Sequence, residues 1–230
     1  MLIGRGDRCA SDVRKDTCWL CRKDMCWSGG IVLYIGRFVV IGRDSKGALY
    51  VGYRVSGRSQ PNRKIVMKDG VASVVPKDGV QYDNPFVTYP CFRQAGDCLV
   101  ASNGSQTWPI GEKIICGSPV KDALTLPLLA LEFERDQYHT PRIATVADYG
   151  RDEAWIGIVM DSKIEVRKLS IAPSEARLIA VYELTDVTQV SIASDDPDSI
   201  AEELMKLPYE HPICSIAATM RDGKVVYAIR

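Results

Sequence analysis

The sequence changes character near residue 30. Before it, Arg, Lys, Asp and Cys are mixed with neither helical nor strand periodicity, and Ser28-Gly29-Gly30 reads as a break. After it, short apolar stretches alternate with turn residues. A strand is predicted over 34–43, a turn at "DSKG", and a hairpin partner over 48–56. Short strands at 65–67 and 71–75 flank "KDG", and strands at 86–94 and 98–102 flank "AGD". Two helices follow, over 108–116 and 120–135, the second kinked at Pro127. Strands return at 142–147, 154–160, 163–168 and 177–182, with "DSK" as a tight turn between the second and third. "DDPDSIAEELMKL" reads as a helix with acids in its first turn, where the macrodipole favours them. A last hairpin over 213–229 turns at "RDGK".

Many antiparallel strands with helices grouped between them predict an α+β fold of two packed, mainly antiparallel sheets covered by helices. Strands and helices do not alternate, so a parallel dinucleotide-binding sheet is not expected. No GxGxxG, no Walker A sequence and no internal repeat occurs.

Composition narrows the function. The 230 residues suit one domain, expected over 33–230, behind a cysteine-rich extension over 1–32. Twenty-nine basic residues balance 29 acidic ones, so no global field favours nucleic acid or membrane. Any anion site must come from local clustering. No apolar run reaches the ~20 residues that span a bilayer, and the N-terminus lacks a signal-peptide core, so a cytoplasmic protein with reduced thiols is expected. Cys9, Cys18, Cys21 and Cys26 follow C-x8-C-x2-C-x4-C, a single CxxC that falls short of a zinc knuckle, and the bland reading is a disordered extension. Cys91, Cys98, Cys116 and Cys214 sit in apolar stretches as small core residues. The two histidines, His139 and His211, have no metal-ligand spacing and cannot make a histidine metal site.

Candidate chemistry lies elsewhere. "YRVSGRSQPNR" carries Arg54, Ser56, Arg58, Asn62 and Arg63 close together, a composition suited to a phosphate or carboxylate. "VASNGSQT" places Asn103, Gly104 and Ser105 in a tight turn after a strand. Tyr89 could donate to a developing oxyanion. Glu132 and Glu134 fall at the end of the predicted helix, where acids oppose the dipole.

Several motifs in order carry a resemblance. "YIGRFVVIGRDSKGALYVGYRVSGRSQPNR", "NPFVTYPCFR", "VASNGSQT", "DALTLPLLALEFERDQYHTPRIA" and "AWIGIV" resemble the archaeal-type IMP cyclohydrolases. The resemblance implies a four-layer αββα sandwich of the N-terminal-nucleophile-hydrolase type. It implies a substrate, 5-formamidoimidazole-4-carboxamide ribotide, and a product, inosine monophosphate. It also implies a homo-oligomer, a tetramer. The carboxamide nitrogen attacks the neighbouring formyl carbon and water leaves, which needs neither metal nor cofactor. Arg63, Tyr89 and Glu134 match positions regarded as functional in the family. They are expected to polarise the formyl oxygen or orient the carboxamide, to donate to the oxyanion and to shuttle a proton, respectively. Arg54, Ser56, Arg58, Asn62, Asn103, Gly104, Ser105 and Arg142 are the candidates for phosphate, ribose and base contacts.

The sequence departs from the family in two places. Residues 1–32 are extra, and Leu33 falls at the family's initiator methionine, so translation from a UUG codon at Leu33 is expected. An intact Met1 in protein from the native host, read by mass spectrometry, would refute this. "MRDGKVVYAIR" also extends past the usual end. Three other readings stay open. One is a ribotide-binding protein of this fold without catalysis. One is an amidohydrolase needing a processed Cys26 or Ser28. The last is a metal module on the cysteine segment.

Overall fold

The computed structural model describes residues 33–79 and 87–230. The extension with its four cysteines, and Phe86 in the expected "NPFVTYP" strand, lie outside these residues. In chain order the elements are β1 (Phe38–Arg43), β2 (Leu49–Ser56), β3 (Arg63–Lys68), β4 (Val71–Pro76), β5 (Tyr89–Ala95) and β6 (Cys98–Ser102). Helices α1 (Thr107–Ile115) and α2 (Val120–Leu131) come next. They are followed by β7 (Arg142–Asp148), β8 (Glu153–Val159), β9 (Ile164–Leu169), β10 (Ala176–Ala180), β11 (Thr188–Val190), α3 (Pro197–Lys206), β12 (Pro212–Arg221) and β13 (Lys224–Ile229).

Local chemistry sets the hairpins. Lys68 faces Val71 and Arg221 faces Lys224, so each turn has two central residues, Asp69-Gly70 and Asp222-Gly223. All four have positive φ, between 50° and 78°, the conformation that Asp-Gly supplies to a two-residue hairpin. The Asp44 carboxylate accepts from the amides of Lys46 and Ala48 and closes the β1–β2 turn. Asp196 caps α3 through the amide of Ser199, with Pro197 in the first turn.

The strands form two antiparallel sheets, ordered β11-β10-β1-β2-β12-β13 and β3-β4-β5-β6-β7-β8-β9. The molecule is an α+β sandwich. Alternate residues of both sheets, among them Val51, Ile216, Val74, Leu99 and Ile156, interlock in the core between them. The outer face of the first sheet packs Phe38 and Val40 against Ile200 and Leu204 of α3. The outer face of the second packs Val100 and Val146 against Ile110 of α1 and Leu124 of α2. Each such side chain contributes roughly 2 kcal/mol through burial. No helix among the described residues is long and apolar enough to cross a membrane.

Four expectations change. Cys116 is exposed, whereas Cys91, Cys98 and Cys214 are buried as expected. β1 starts at Phe38 rather than residue 34. β11, only three residues long, had no sequence pattern to announce it. α2 runs through Pro127 but stops at Leu131, not residue 135, because Glu132 takes φ 53° and the chain turns inward. Glu134 is therefore not a helix-terminal acid, and the dipole argument for it does not hold.

Candidate active site

One end of the sandwich gathers the polar groups. In the first sheet, Phe38 faces Arg54 and Ala180, and Ser56 faces Pro212, so the start of β1, the ends of β2 and β10 and the start of β12 lie together. In the second sheet, Arg63 faces Pro76, Val74 faces Tyr89, Ser102 faces Ala144 and Arg142 faces Val159. Arg37, just before β1, joins the two ends. Its Nη2 donates to Glu134 Oε2 at 2.7 Å and its Nη1 to the Asn103 carbonyl at 3.1 Å. Its guanidinium lies 5.6 Å from the centre of the Tyr89 ring.

Glu134 is 2% exposed and sits between two guanidinium groups, with its second oxygen 3.9 Å from Arg142 Nη1. Its loop is fastened from within. The Glu134 amide donates to the Thr140 carbonyl at 2.8 Å, and Asp136 accepts from the Thr140 amide and hydroxyl at 2.9 and 2.7 Å. Burial opposes the Arg37 cation, but Glu134, with Tyr89 and Tyr53 beside it, carries the net shift well above the usual arginine value. Arg142 is shifted down, by burial first and also by the neighbouring Arg37 charge, against the pull of Glu134. Two guanidinium groups thus share one carboxylate, and Arg142 Nε is buried without a hydrogen-bond partner among the described residues.

Tyr89 opens β5 and points into the inter-sheet space, where its hydroxyl lies 2.9 Å from that of Tyr53 on β2. Burial, then the adjacent Tyr89, pushes the Tyr53 phenol well above its ordinary value, so it stays protonated. Two O–H groups that share one mutual hydrogen bond leave one proton free to donate.

The β6–α1 turn completes this cluster. The Asn103 side chain is fully engaged in holding the turn, accepting from Ile143 N at 2.9 Å and Gln106 Nε2 at 2.7 Å and donating to the Pro141 carbonyl at 2.9 Å. Gln106 Oε1 accepts from Arg142 Nη1 at 3.1 Å. Gly104 leaves the space these groups need. A Cβ there would sit 2.8 Å from Gln106 Oε1 and 2.9 Å from Arg142 Nη1.

The other expected residues are elsewhere. Arg54 alternates with Tyr53 and points to the opposite face of the sheet, under α3. Its guanidinium donates to the carbonyls of Leu204, Leu207 and Tyr209 at 2.9, 3.2 and 2.8 Å, and its Nε to Ser56 Oγ at 3.0 Å. Burial lowers its pKa to about 10. Arg54 and Ser56 therefore cap the end of α3 from inside and are not free to meet a ligand, contrary to the expectation from composition. Arg58 is exposed, bonded to Glu210 at 2.8 Å and lying 4.2 Å over the Tyr34 ring. Asn62 is exposed and donates to Asp78 at 3.3 Å, and Ser105 is exposed on its turn. Arg63 is 5% exposed, with its Nε donating to the Gln60 carbonyl at 2.8 Å.

Tyr89, Glu134, Asn103, Gly104 and Arg142 thus converge, and Arg37, Tyr53 and Gln106 join them without having been singled out. Arg37 had one signal, a lone cation inside the apolar run "YIGRFVV". A family model described as IMP cyclohydrolase-like protein matches residues 34–224. The chain belongs to that family. Among its relatives, the IMP cyclohydrolase of Methanothrix thermoacetophila is 43% identical over 198 residues, covering 86% of this chain and 98% of the relative. That of Natronomonas pharaonis is 42% identical, covering 83% and 94%, and that of Methanococcus maripaludis strain S2 is 38% identical, covering 83% and 97%. The span matched by the family model contains every member of this cluster.

Proposed function

We propose that the chain is an IMP cyclohydrolase that closes 5-formamidoimidazole-4-carboxamide ribotide to inosine monophosphate. Relatives of that name, matched over nearly their whole length, carry the reading. The buried cluster of Tyr89, Tyr53, Arg37 and Glu134 supports it, because it contains what this reaction needs.

Nucleophile and electrophile belong to one molecule, so most of the acceleration comes from holding them in contact. The carboxamide nitrogen forms a bond to the formyl carbon. Glu134 takes the proton that this nitrogen loses, and Tyr89 gives a proton to the formyl oxygen as it gains charge. As the carbon–oxygen bond breaks, Glu134 returns its proton to the departing hydroxyl, which leaves as water, and the ring nitrogen that came from the formamide gives its proton to the Tyr89 phenolate, restoring both groups. Tyr53 donates to the Tyr89 oxygen and supports it as an acid. Arg37 and Arg142 hold the carboxylate in place.

The expected residues outside the cluster, Arg58, Asn62, Arg63 and Ser105, are the candidates for the ribose and phosphate. The same kinship supports a four-layer N-terminal-nucleophile-hydrolase-like sandwich, a catalytic domain over 33–230, a homotetramer and a place in the cytoplasm. The test is to add the formylated ribotide to the metal-free full-length chain and follow the ultraviolet absorbance of inosine monophosphate. Turnover is expected. Ribotide binding with no turnover would replace this reading with that of a non-catalytic purine-ribotide-binding protein.

A further inference from the structure

We propose that Tyr182 is a positioning residue for Glu134. Its hydroxyl, acting through Thr140 and Asp136, holds the loop that carries Glu134 while that side chain bears the proton it has taken. This rests on the cyclisation reading above, in which Glu134 is the base.

Tyr182 follows β10 and meets the cluster twice. Its amide donates to the Ile35 carbonyl at 3.1 Å, and the Val181 amide donates to the Arg37 carbonyl at 3.0 Å, so this backbone fixes the segment that presents Arg37. Its hydroxyl lies 2.9 Å from Thr140 Oγ1. Proton count sets the direction of that bond. Thr140 has one hydroxyl proton and gives it to Asp136 Oδ2 at 2.7 Å, and a carboxylate only accepts. Tyr182 is therefore the donor, and the chain runs from Tyr182 to Thr140 to Asp136. Burial raises the Tyr182 phenol above its ordinary value, so it keeps the proton it donates. Thr140, 1% exposed, passes the hold on to Glu134, because its carbonyl accepts from the Glu134 amide at 2.8 Å. The Tyr182 ring is itself fixed. It stacks on Tyr34 at 5.8 Å, and a Cβ on Gly36 would sit 2.8 Å from its edge.

Charge explains why the loop needs such an anchor. As a carboxylate, Glu134 is held by Arg37 at 2.7 Å and faces Arg142 at 3.9 Å. Once it takes a proton, most of that attraction is lost. This happens at the stage when the acid must stay in place to return the proton to the departing hydroxyl. The Tyr182–Thr140–Asp136 chain contains no atom of the Glu134 side chain, so its strength does not fall when Glu134 is neutralised. In the resting protein the ion pair and the chain hold the loop together. After proton transfer the chain holds it alone. Its effect therefore falls on kcat and not on KM.

The experiment uses the full-length chain, Tyr182→Phe, Glu134→Gln and the double variant. Phenylalanine keeps the ring against Tyr34 and removes only the hydroxyl. Tyr182→Phe is expected to lower kcat for the formylated ribotide by about 3- to 12-fold, as loss of one neutral hydrogen bond does, with KM within about twofold. Added to Glu134→Gln it should slow turnover no further, because it acts only through Glu134. A further loss of the same size would overturn the proposal, since a merely structural part is felt in both backgrounds. Thr140→Ser keeps the bridging hydroxyl and should hold kcat within about threefold, whereas Thr140→Val should lose at least as much as Tyr182→Phe. Equal losses in the two Thr140 variants would also overturn it. Hydrogen exchange over residues 132–141 tests the same point without turnover. In Glu134→Gln, where the carboxylate charge is gone, Tyr182→Phe should speed exchange there by about 10-fold, and by less than about threefold where Glu134 is kept. Equal speeding in both backgrounds, or none in either, would overturn the proposal. If exchange responds as expected while the ribotide does not turn over, the cyclohydrolase reading fails and the hold of Tyr182 on Glu134 stands.

Discussion

The hydroxyl of Tyr53 lies 2.9 Å from the hydroxyl of Tyr89, and the two residues belong to different sheets. Neither tyrosine makes this contact through its own sheet, so the pair exists only when the sandwich is closed.

Tyr89→Phe is expected to lower kcat by about 100- to 1,000-fold with little change in KM, as loss of an oxyanion donor does. Tyr53→Phe should cost about 10-fold, because it acts through Tyr89. The double variant should be no slower than Tyr89→Phe alone. Steady-state kinetics of the four proteins would show this, and additive losses would mean that the phenols work independently.

Removing Glu134 leaves Arg37 and Arg142 buried without their carboxylate. Glu134→Gln should destabilise the fold by about 3 kcal/mol and lower Tm by roughly 6–12 °C. Arg37→Met in the same background should recover part of that loss, since it removes one of the uncompensated cations. Thermal melts of the single and double variants are the check, and a further drop in Tm would refute the shared-carboxylate picture.

At Gly104 the constraint is space. Gly104→Ala puts a methyl group within 3 Å of Gln106 Oε1 and Arg142 Nη1. Turnover should fall by at least about 10-fold, because a shift of under an ångström at a site of this kind is costly. Tm should move by only a few degrees. Unchanged kinetics would show that the Arg142–Gln106 contact plays no part in turnover.

Arg54→Met should destabilise by about 3–5 kcal/mol, since it strips a buried set of carbonyls of their donor. The KM of the surviving folded protein should stay within about twofold. A large rise in KM with unchanged stability would give Arg54 back to the ligand.

Stability should decline on the alkaline side. Burial raises Cys98 and Cys214 from 9.0 to about 12 and Tyr149 from 10.0 to about 12. Each folded group holds its proton where the unfolded one has lost it. Their contribution is complete below about pH 9 and is lost as the pH rises towards 12. Arg54, lowered to about 10, acts in the opposite sense, but only from about pH 10 upward. Urea unfolding should show a loss of about 3 kcal/mol between pH 8 and pH 10. A flat profile would contradict the burial of the two thiols.

Apart from β11, the element order was legible because its determinants are local. Asp-Gly turns, alternation of apolar residues and the cap at Asp196 all act within a few residues. The end of α2 was not legible, because what draws Glu134 inward is Arg37, 97 positions away in the chain. Arg54 shows the same limit from another side. Its neighbours Arg58, Asn62 and Arg63 made it look like part of an anion loop, but strand alternation turns it beneath α3, whose position no local pattern could give. Tyr89, Glu134 and Arg142 were singled out through ordered motifs. Their partners Arg37, Tyr53 and Gln106 needed the two sheets to be set face to face.

That facing has a consequence in time. Arg37 and Tyr53 reach the other groups only across the gap, so on the proposed mechanism a chain whose two sheets have formed but not yet docked has no assembled centre. During refolding, secondary structure can return early, whereas turnover can return only with docking. The appearance of product therefore serves as a clock for the last step of assembly.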